Sequence, residues 1–208
     1  MLVDRYSPVA LFAFVPKLLC DFEPMLRDLV RDDACVSSLF EPLLAILATM
    51  LAQLARLTKQ VLDIVRGEEV CRRLMSVPGA GPITALAFRA TMDRPDRIKR
   101  SRDVGAHPGL TPGRYQSGET DIQGRISRCG DELARTALYE AAHTLLVRSR
   151  KWSRLRAWGL KVAKHRGMAR ARVAVARKLA VILHRMWSDA SEFRFGKEPG
   201  ANVGPATA

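Results

Sequence analysis

The chain has 208 residues, 48% of them hydrophobic, which is enough for one good core or for a small domain with a long helical arm. Its four cysteines (Cys20, Cys35, Cys71 and Cys129) form no CxxC pair and no His/Cys cluster, which excludes a zinc module and leaves free thiols suited to a reducing cytosol. The formal net charge of +13 is uneven: residues 1–70 hold 7 Lys/Arg against 10 Asp/Glu, whereas residues 89–187 hold 23 against 8, a field that attracts polyanions.

Residues 1–37 read as irregular, with Pro8, Pro16 and Pro24 ending helical runs. Val9–Leu19 is apolar but too short to span a bilayer. It has neither a basic start nor a small-residue cleavage site, so neither a signal peptide nor a membrane association is expected. Residues 38–69 follow as a coiled-coil-like helical arm. Leu43, Leu47, Met50, Leu54, Leu57, Val61 and Ile64 recur at alternating steps of four and three, a heptad seam. The seam serves either a partner helix, giving homo-oligomers or mixed oligomers, or packing on the chain's own domain.

Residues 70–196 read as one domain. It opens on Val77-Pro-Gly-Ala-Gly-Pro, a turn leading into a helix. This resembles a helix-hairpin-helix element, in which Gly79 and Gly81 would expose backbone N–H groups to a DNA phosphate; a close-packed turn needs the same residues. A charged connection, Asp93 to Arg102, leads to a short helix ending near His107-Pro108. Then comes a glycine-punctuated loop, 109–130, with Ser117 as a hydroxyl nucleophile and Arg114, Arg125 and Arg128 to hold phosphate charge. Tyr115 is the alternative nucleophile, and Asp121 and Asp131 are expected to orient arginines rather than bind a metal.

From residue 131 the pattern is helical. Leu133, Ala137, Leu138, Ala141 and Leu145 mark one apolar face; Val173, Ala176, Leu179, Ala180, Leu183, Met186 and Trp187 mark another, with Gly167 separating two helices. Ala141 to Ser188 contains 13 Arg/Lys and no acidic residue, with Arg172, Arg177 and Lys178 as phosphate-binding candidates. Trp152 and Trp158 serve base stacking or helix packing. His184 suits packing or a phosphate-facing position better than catalysis, and the four histidines build no Ser-His-Asp triad. The tail 197–208 is expected to be disordered. The fold class is therefore mainly α: a heptad-patterned helix, a helix-hairpin-helix-like domain and a basic helical C-terminal region.

In their order and spacing, Val77-Pro-Gly-Ala-Gly, Gly109-Leu-Thr-Pro, Arg114-Tyr-Gln-Ser-Gly-Glu, Gly124-Arg-Ile-Ser-Arg-Cys-Gly-Asp, Leu138-Tyr-Glu-Ala-Ala and Ala176-Arg-Lys-Leu-Ala resemble one family. It is that of the insertion-sequence transposases of the one-ten, one-sixteen and nine-oh-two type, relatives of the Piv invertase. The resemblance covers Glu41 to Phe195. It implies an N-terminal RNase H-like domain with four acidic metal ligands, a coiled-coil middle and a C-terminal domain whose serine attacks DNA. Ser117 matches that serine and would form a phosphoserine link to a cut strand. The resemblance also implies DNA and a structured guide RNA as partners, and a cytoplasmic, nucleoid-associated location.

The chain departs from the pattern in its first forty residues, where Asp4, Asp21, Asp28, Asp32 and Asp33 lack the spacing of a metal site. The expectation is thus a truncated member, inactive alone, holding no cofactor itself, with Mg²⁺ on the acidic domain of a full-length partner. Gly113 stands where a second arginine is usual, Pro108 where an apolar residue is, and Arg128 where lysine is. The competing expectation is a non-catalytic nucleic-acid-binding remnant that inhibits full-length transposase by mixed oligomerisation.

Overall fold

A computed structural model describes residues 22–31 and 33–196; the expected disordered tail 197–208 and most of the segment 1–37 lie outside these. The architecture is mainly α with one two-stranded ribbon. It divides into two compact units that meet in sequence at Ile64 and Val65.

The first unit departs from the irregular segment expected before the arm. Residues 22–29 form a helix (α1), and α2 (Ala34–Gly67) begins several residues earlier than the heptad pattern suggests. Asp33 supplies the reason: its Oδ1 accepts the backbone N–H of Cys35 and Val36 at 2.9 and 3.1 Å, a side-chain cap that fixes the helix start. Arg27 of α1 is bonded to both Glu23 and Glu41. Pro42 lies inside α2 and removes the N–H that would reach the Ser38 carbonyl, yet the helix runs on. Of the seam residues, Leu43, Met50, Leu57 and Ile64 are 60, 65, 57 and 52% exposed. One 18-residue window of α2 also has a mean hydropathy of 1.8, which by length and composition is enough to cross a membrane.

The second unit holds the core. α3 (Glu69–Leu74) and α4 (Pro82–Met92) are joined by the glycine turn. Two 3₁₀ turns, Pro95–Arg97 and Ser101–Ala106, follow, then strands β1 (Pro112–Ser117) and β2 (Thr120–Ile126), and helices α5 (Glu132–Val147), α6 (Arg154–Arg166) and α7 (Met168–Ser188). α5 and α7 pack with small residues facing: Ala134, Ala137, Ala141 and Ala142 from one, Ala171, Ala176 and Ala180 from the other, interleaved with Leu138, Leu145, Leu179 and Leu183, all buried. Phe88 and Met92 of α4 complete this core, at roughly 1.5–3 kcal/mol for each large side chain removed from water. α6 joins α7 at Gly159, where a Cβ would lie 2.6 Å from the Val175 side chain.

Two expected apolar positions differ. Leu133 sits in the first turn of α5 and is mostly exposed, while Val175, rather than Val173, is the fully buried valine of α7. The turn between α6 and α7 is Gly167 alone, with φ +83°, as the glycine placement suggested.

Candidate functional site

The segment expected as a loop around Ser117 is a β-ribbon. β1 and β2 are antiparallel, with Arg114 opposite Gln123, Gln116 opposite Asp121 and Ser117 opposite Thr120. Only Gly118 and Glu119 connect the strands. Gly118 has φ +57° and Glu119 does not take a positive φ, the pattern of a type II′ turn with glycine in its first central position. No atom lies within 4 Å of where a Gly118 Cβ would be, so the need for glycine there is conformational. Ser117 is the last strand residue before this turn and is exposed, as are Gln116, Gly118 and Glu119.

At its base the ribbon is clamped. Ser127 N–H donates to Thr111 O at 2.8 Å and Arg128 N–H to Gly109 O at 3.2 Å. The chain segments 107–110 and 127–130 approach so closely that a Cβ on Gly109 would strike the Cys129 backbone, and one on Gly130 the His107 carbonyl. Both glycines have positive φ. Arg135 of α5 ties this crossing to the helical core: its Nη1 donates to Pro108 O and Arg128 O at 3.1 Å each, and to Gly130 O at 3.5 Å. Asp131 caps α5 through Leu133 and Ala134 N–H and accepts the Thr91 hydroxyl. These bonds hold its carboxyl below the usual range, the Thr91 bond most strongly, with Arg135 contributing and burial opposing.

The three arginines named from sequence are not gathered on Ser117. Strand residues alternate faces, so Ser117 and Ile122 share one side while Arg114, Gln116 and Asp121 share the other. Arg114 is held there by Asp121 at 3.4 Å, so Asp121 does orient an arginine. Arg125 lies beside Gly113, where the register shifts, four residues from Ser117 and therefore about 13 Å along the strand. Arg128 lies in the basal crossing with φ +55°. Asp131 serves α5 and Thr91 instead.

The other sequence candidates are placed as follows. Gly79 (φ +91°) faces the α5 backbone, where a Cβ would overlap the Ala141 carbonyl and come within 3.0 Å of Leu145 N. The close-packed turn thus accounts for Gly79. Gly81 is the N-cap of α4, has open space around it and precedes Pro82 at the first helical position. On α7, Arg172 bonds the Tyr139 hydroxyl at 3.3 Å. The aliphatic stem of Arg177 crosses Gly105, and Lys178 Nζ lies 4.0 Å from the centre of the Trp158 ring. One face of Trp158 is thereby covered. His184 is buried, with Nε2 donating to Pro95 O at 2.8 Å and Nδ1 bonded to Ser101 Oγ at 3.1 Å, a packing role.

Sequence reading missed Arg135, whose one available signal is its position four residues after the capping Asp131. It also missed an open cleft of about 660 Å³ beside the ribbon base, whose lining includes Arg97, Lys99, His107, Cys129 and Asp131. Among the described residues no group of three or more His, Cys, Asp or Glu is placed to hold a metal ion.

Residues 71–157 match the family described as "Transposase IS116/IS110/IS902 family". The chain is 33% identical over 134 residues to "Transposase for insertion sequence element IS1111A" of Coxiella burnetii, a span of 64% of this chain and 37% of that one. It is 28% identical over 184 residues to "Putative transposase y4pF/y4sB" of Sinorhizobium fredii (86% and 47%), and 32% over 151 residues to "Probable family 20 transposase" of Pseudomonas aeruginosa (72% and 45%). The chain thus spans less than half the length of these relatives.

Proposed function

Because its central and C-terminal region belongs to the IS116/IS110/IS902 transposase family, we propose that this chain supplies the serine half of an insertion-sequence recombinase. Ser117 is its nucleophile. The single observation that carries the reading is Ser117's place at the exposed tip of a ribbon whose base is fixed to the core. A nucleophile that must enter a DNA strand's backbone needs that reach, and a rigid base keeps its approach defined.

In the proposed step Ser117 Oγ attacks the phosphorus of a DNA phosphodiester. An Oγ–P bond forms and one P–O bond to a deoxyribose breaks; the leaving sugar oxygen takes up a proton. A base outside the ribbon removes the serine proton. A hydroxyl of the incoming strand later attacks the same phosphorus and releases the serine. The link conserves the phosphodiester, so joining needs no further energy source.

On the ribbon, Asp121 is paired with Arg114 on the face opposite Ser117. The groups that activate the serine and carry Mg²⁺ accordingly belong to an acidic domain in another part of the polypeptide or in another subunit. Nucleic acid, both DNA and a structured guide RNA, is the polyanion, and the cytoplasm is where such a protein meets it. The exposed stripe Leu43, Met50, Leu57 and Ile64 of α2 supports assembly through that helix, in homo-oligomers or with a full-length relative.

The test is covalent trapping. Labelled insertion-sequence end DNA and Mg²⁺ are mixed with this chain, a full-length relative and its RNA. A denaturation-resistant adduct on this chain that Ser117→Ala removes is the expected result. An adduct that survives Ser117→Ala sinks the serine assignment, and one removed by Tyr115→Phe instead moves it to Tyr115.

A second reading is favoured by the α2 stripe itself: a binder without strand chemistry that inhibits full-length transposase by joining its oligomers. Leu57→Lys abolishes inhibition on that reading and leaves it intact if the chain merely competes for DNA. Fractionation tests the helix against a membrane location. Detergent-free sedimentation of the wild type as a defined oligomer supports assembly, whereas recovery in the membrane fraction overturns it.

A further inference from the structure

We infer that the outer face of α6 and the first turn of α7 form a docking surface for a nucleic-acid phosphate backbone, separate from the Ser117 ribbon. At 3.6 residues per turn, Arg154, Lys161 and His165 point within about 20° of one direction, more than 90° from the buried Leu155 and Gly159. Lys164 flanks them. Arg166, at the end of α6 and off the row, and Arg170, beyond Gly167, add two exposed cations at the α6–α7 corner. All six are exposed, the stem of Arg154 running along Gly196. Arg154 to His165 covers about 16 Å along the helix, several phosphate spacings of a duplex strand.

The surroundings make this more than a solvated face. No acidic residue occurs from Ala141 to Ser188, so no carboxylate of α6 or α7 neutralises the row before Asp189. Lys161, Lys164, Arg166 and Arg170 make no ion pair or side-chain hydrogen bond among the described residues. By contrast, two cations of α7 that sequence singled out are engaged within the fold, Arg172 with Tyr139 and Lys178 over Trp158. Exposed cations without such a partner are thus gathered on α6 and the α6–α7 corner. Repulsion along the row is relieved when phosphates replace its counterions.

The choice of nucleic acid as the polyanion rests on the reading proposed above; the location of the surface does not. The experiment measures binding of the full chain to fluorescein-labelled 30-base-pair DNA and RNA duplexes by anisotropy, across a salt series. The variant carries Lys161→Ala, Lys164→Ala, Arg166→Ala and Arg170→Ala. A control of equal charge loss carries Arg56→Ala, Lys59→Ala, Arg72→Ala and Arg94→Ala. The α6–α7 variant should flatten the log K versus log salt slope by about 3 to 4 and weaken binding by roughly tenfold or more at 0.1 M salt. The control should change it by less than half as much. A fall on DNA alone, on RNA alone or on both supports the surface and names its ligand. An unchanged slope, or one that falls equally in the control, overturns it. Loss of the Ser117 adduct with this slope effect intact would count against the serine chemistry only; an adduct without the slope effect would count against this surface only.

Discussion

Two side chains show how position sets reactivity. Cys71 is fully buried; burial first, and its bond to the Glu68 carboxylate second, push its thiol up to about 11. Only the thiolate is nucleophilic, so iodoacetamide at pH 8 should modify the exposed Cys35 and Cys129 and label Cys71 at least ~10-fold more slowly. Peptide mapping after a timed quench checks this. Asp131 shows the opposite shift. Its folded-state proton affinity is lowered by Thr91, by two backbone N–H groups and by Arg135. A depressed carboxylate stabilises the fold above its unfolded value of about 4, and that contribution disappears as pH falls through the lower folded value. Asp131→Ala should cost about 1 kcal/mol near pH 7, as lost helix caps do, and the gap to wild type should narrow in urea titrations below pH 4.

Among the elements, the glycines are the most sharply testable. Gly79→Ala forces a methyl group into the Ala141 carbonyl and the Leu145 backbone, neither of which can swing aside. Overpacking of this kind costs roughly 1–3 kcal/mol, and the melting temperature should fall accordingly. Gly118→Val has room but the wrong conformation. It should leave global stability and nucleic-acid affinity nearly unchanged while reducing the Ser117 adduct, because the turn that presents the serine no longer closes in two residues. The helices were legible in sequence because their apolar periods survive in the core: Ala137, Leu138, Ala141, Leu145, Leu179 and Leu183 are all buried where the pattern put them. The ribbon was not legible. Its strands carry no apolar alternation, since none of their described side chains is buried, and only the Ser-Gly-Glu-Thr turn chemistry could have announced it. For the same reason the arginines near Ser117 in sequence could not be sorted by face until the register was known.

At the scale of the molecule, the second unit, from Val65 onward, holds its own core, to which α3, α4, α5 and α7 contribute buried side chains. A fragment of residues 65–196 should therefore fold cooperatively and keep the salt dependence of nucleic-acid binding, while losing whatever self-association the whole chain has. Circular dichroism melts and sedimentation of fragment and whole chain check both halves. What sequence alone conveyed at this scale was the charge asymmetry, because charge needs no coordinates. It could not convey which cations are engaged, as Lys178 is by Trp158, twenty residues away in the chain. The two-residue closure of the ribbon has one more consequence, for what the gene can tolerate. Because sidedness in a strand is a matter of odd or even position, a one-codon insertion or deletion between Arg114 and Ser117 would place both on the same side and leave the overall fold standing. Changes of two codons would restore the original parity. Length variation in this stretch should therefore be accepted in steps of two, a rule that a library of in-frame insertions, scored for joining activity, would expose directly.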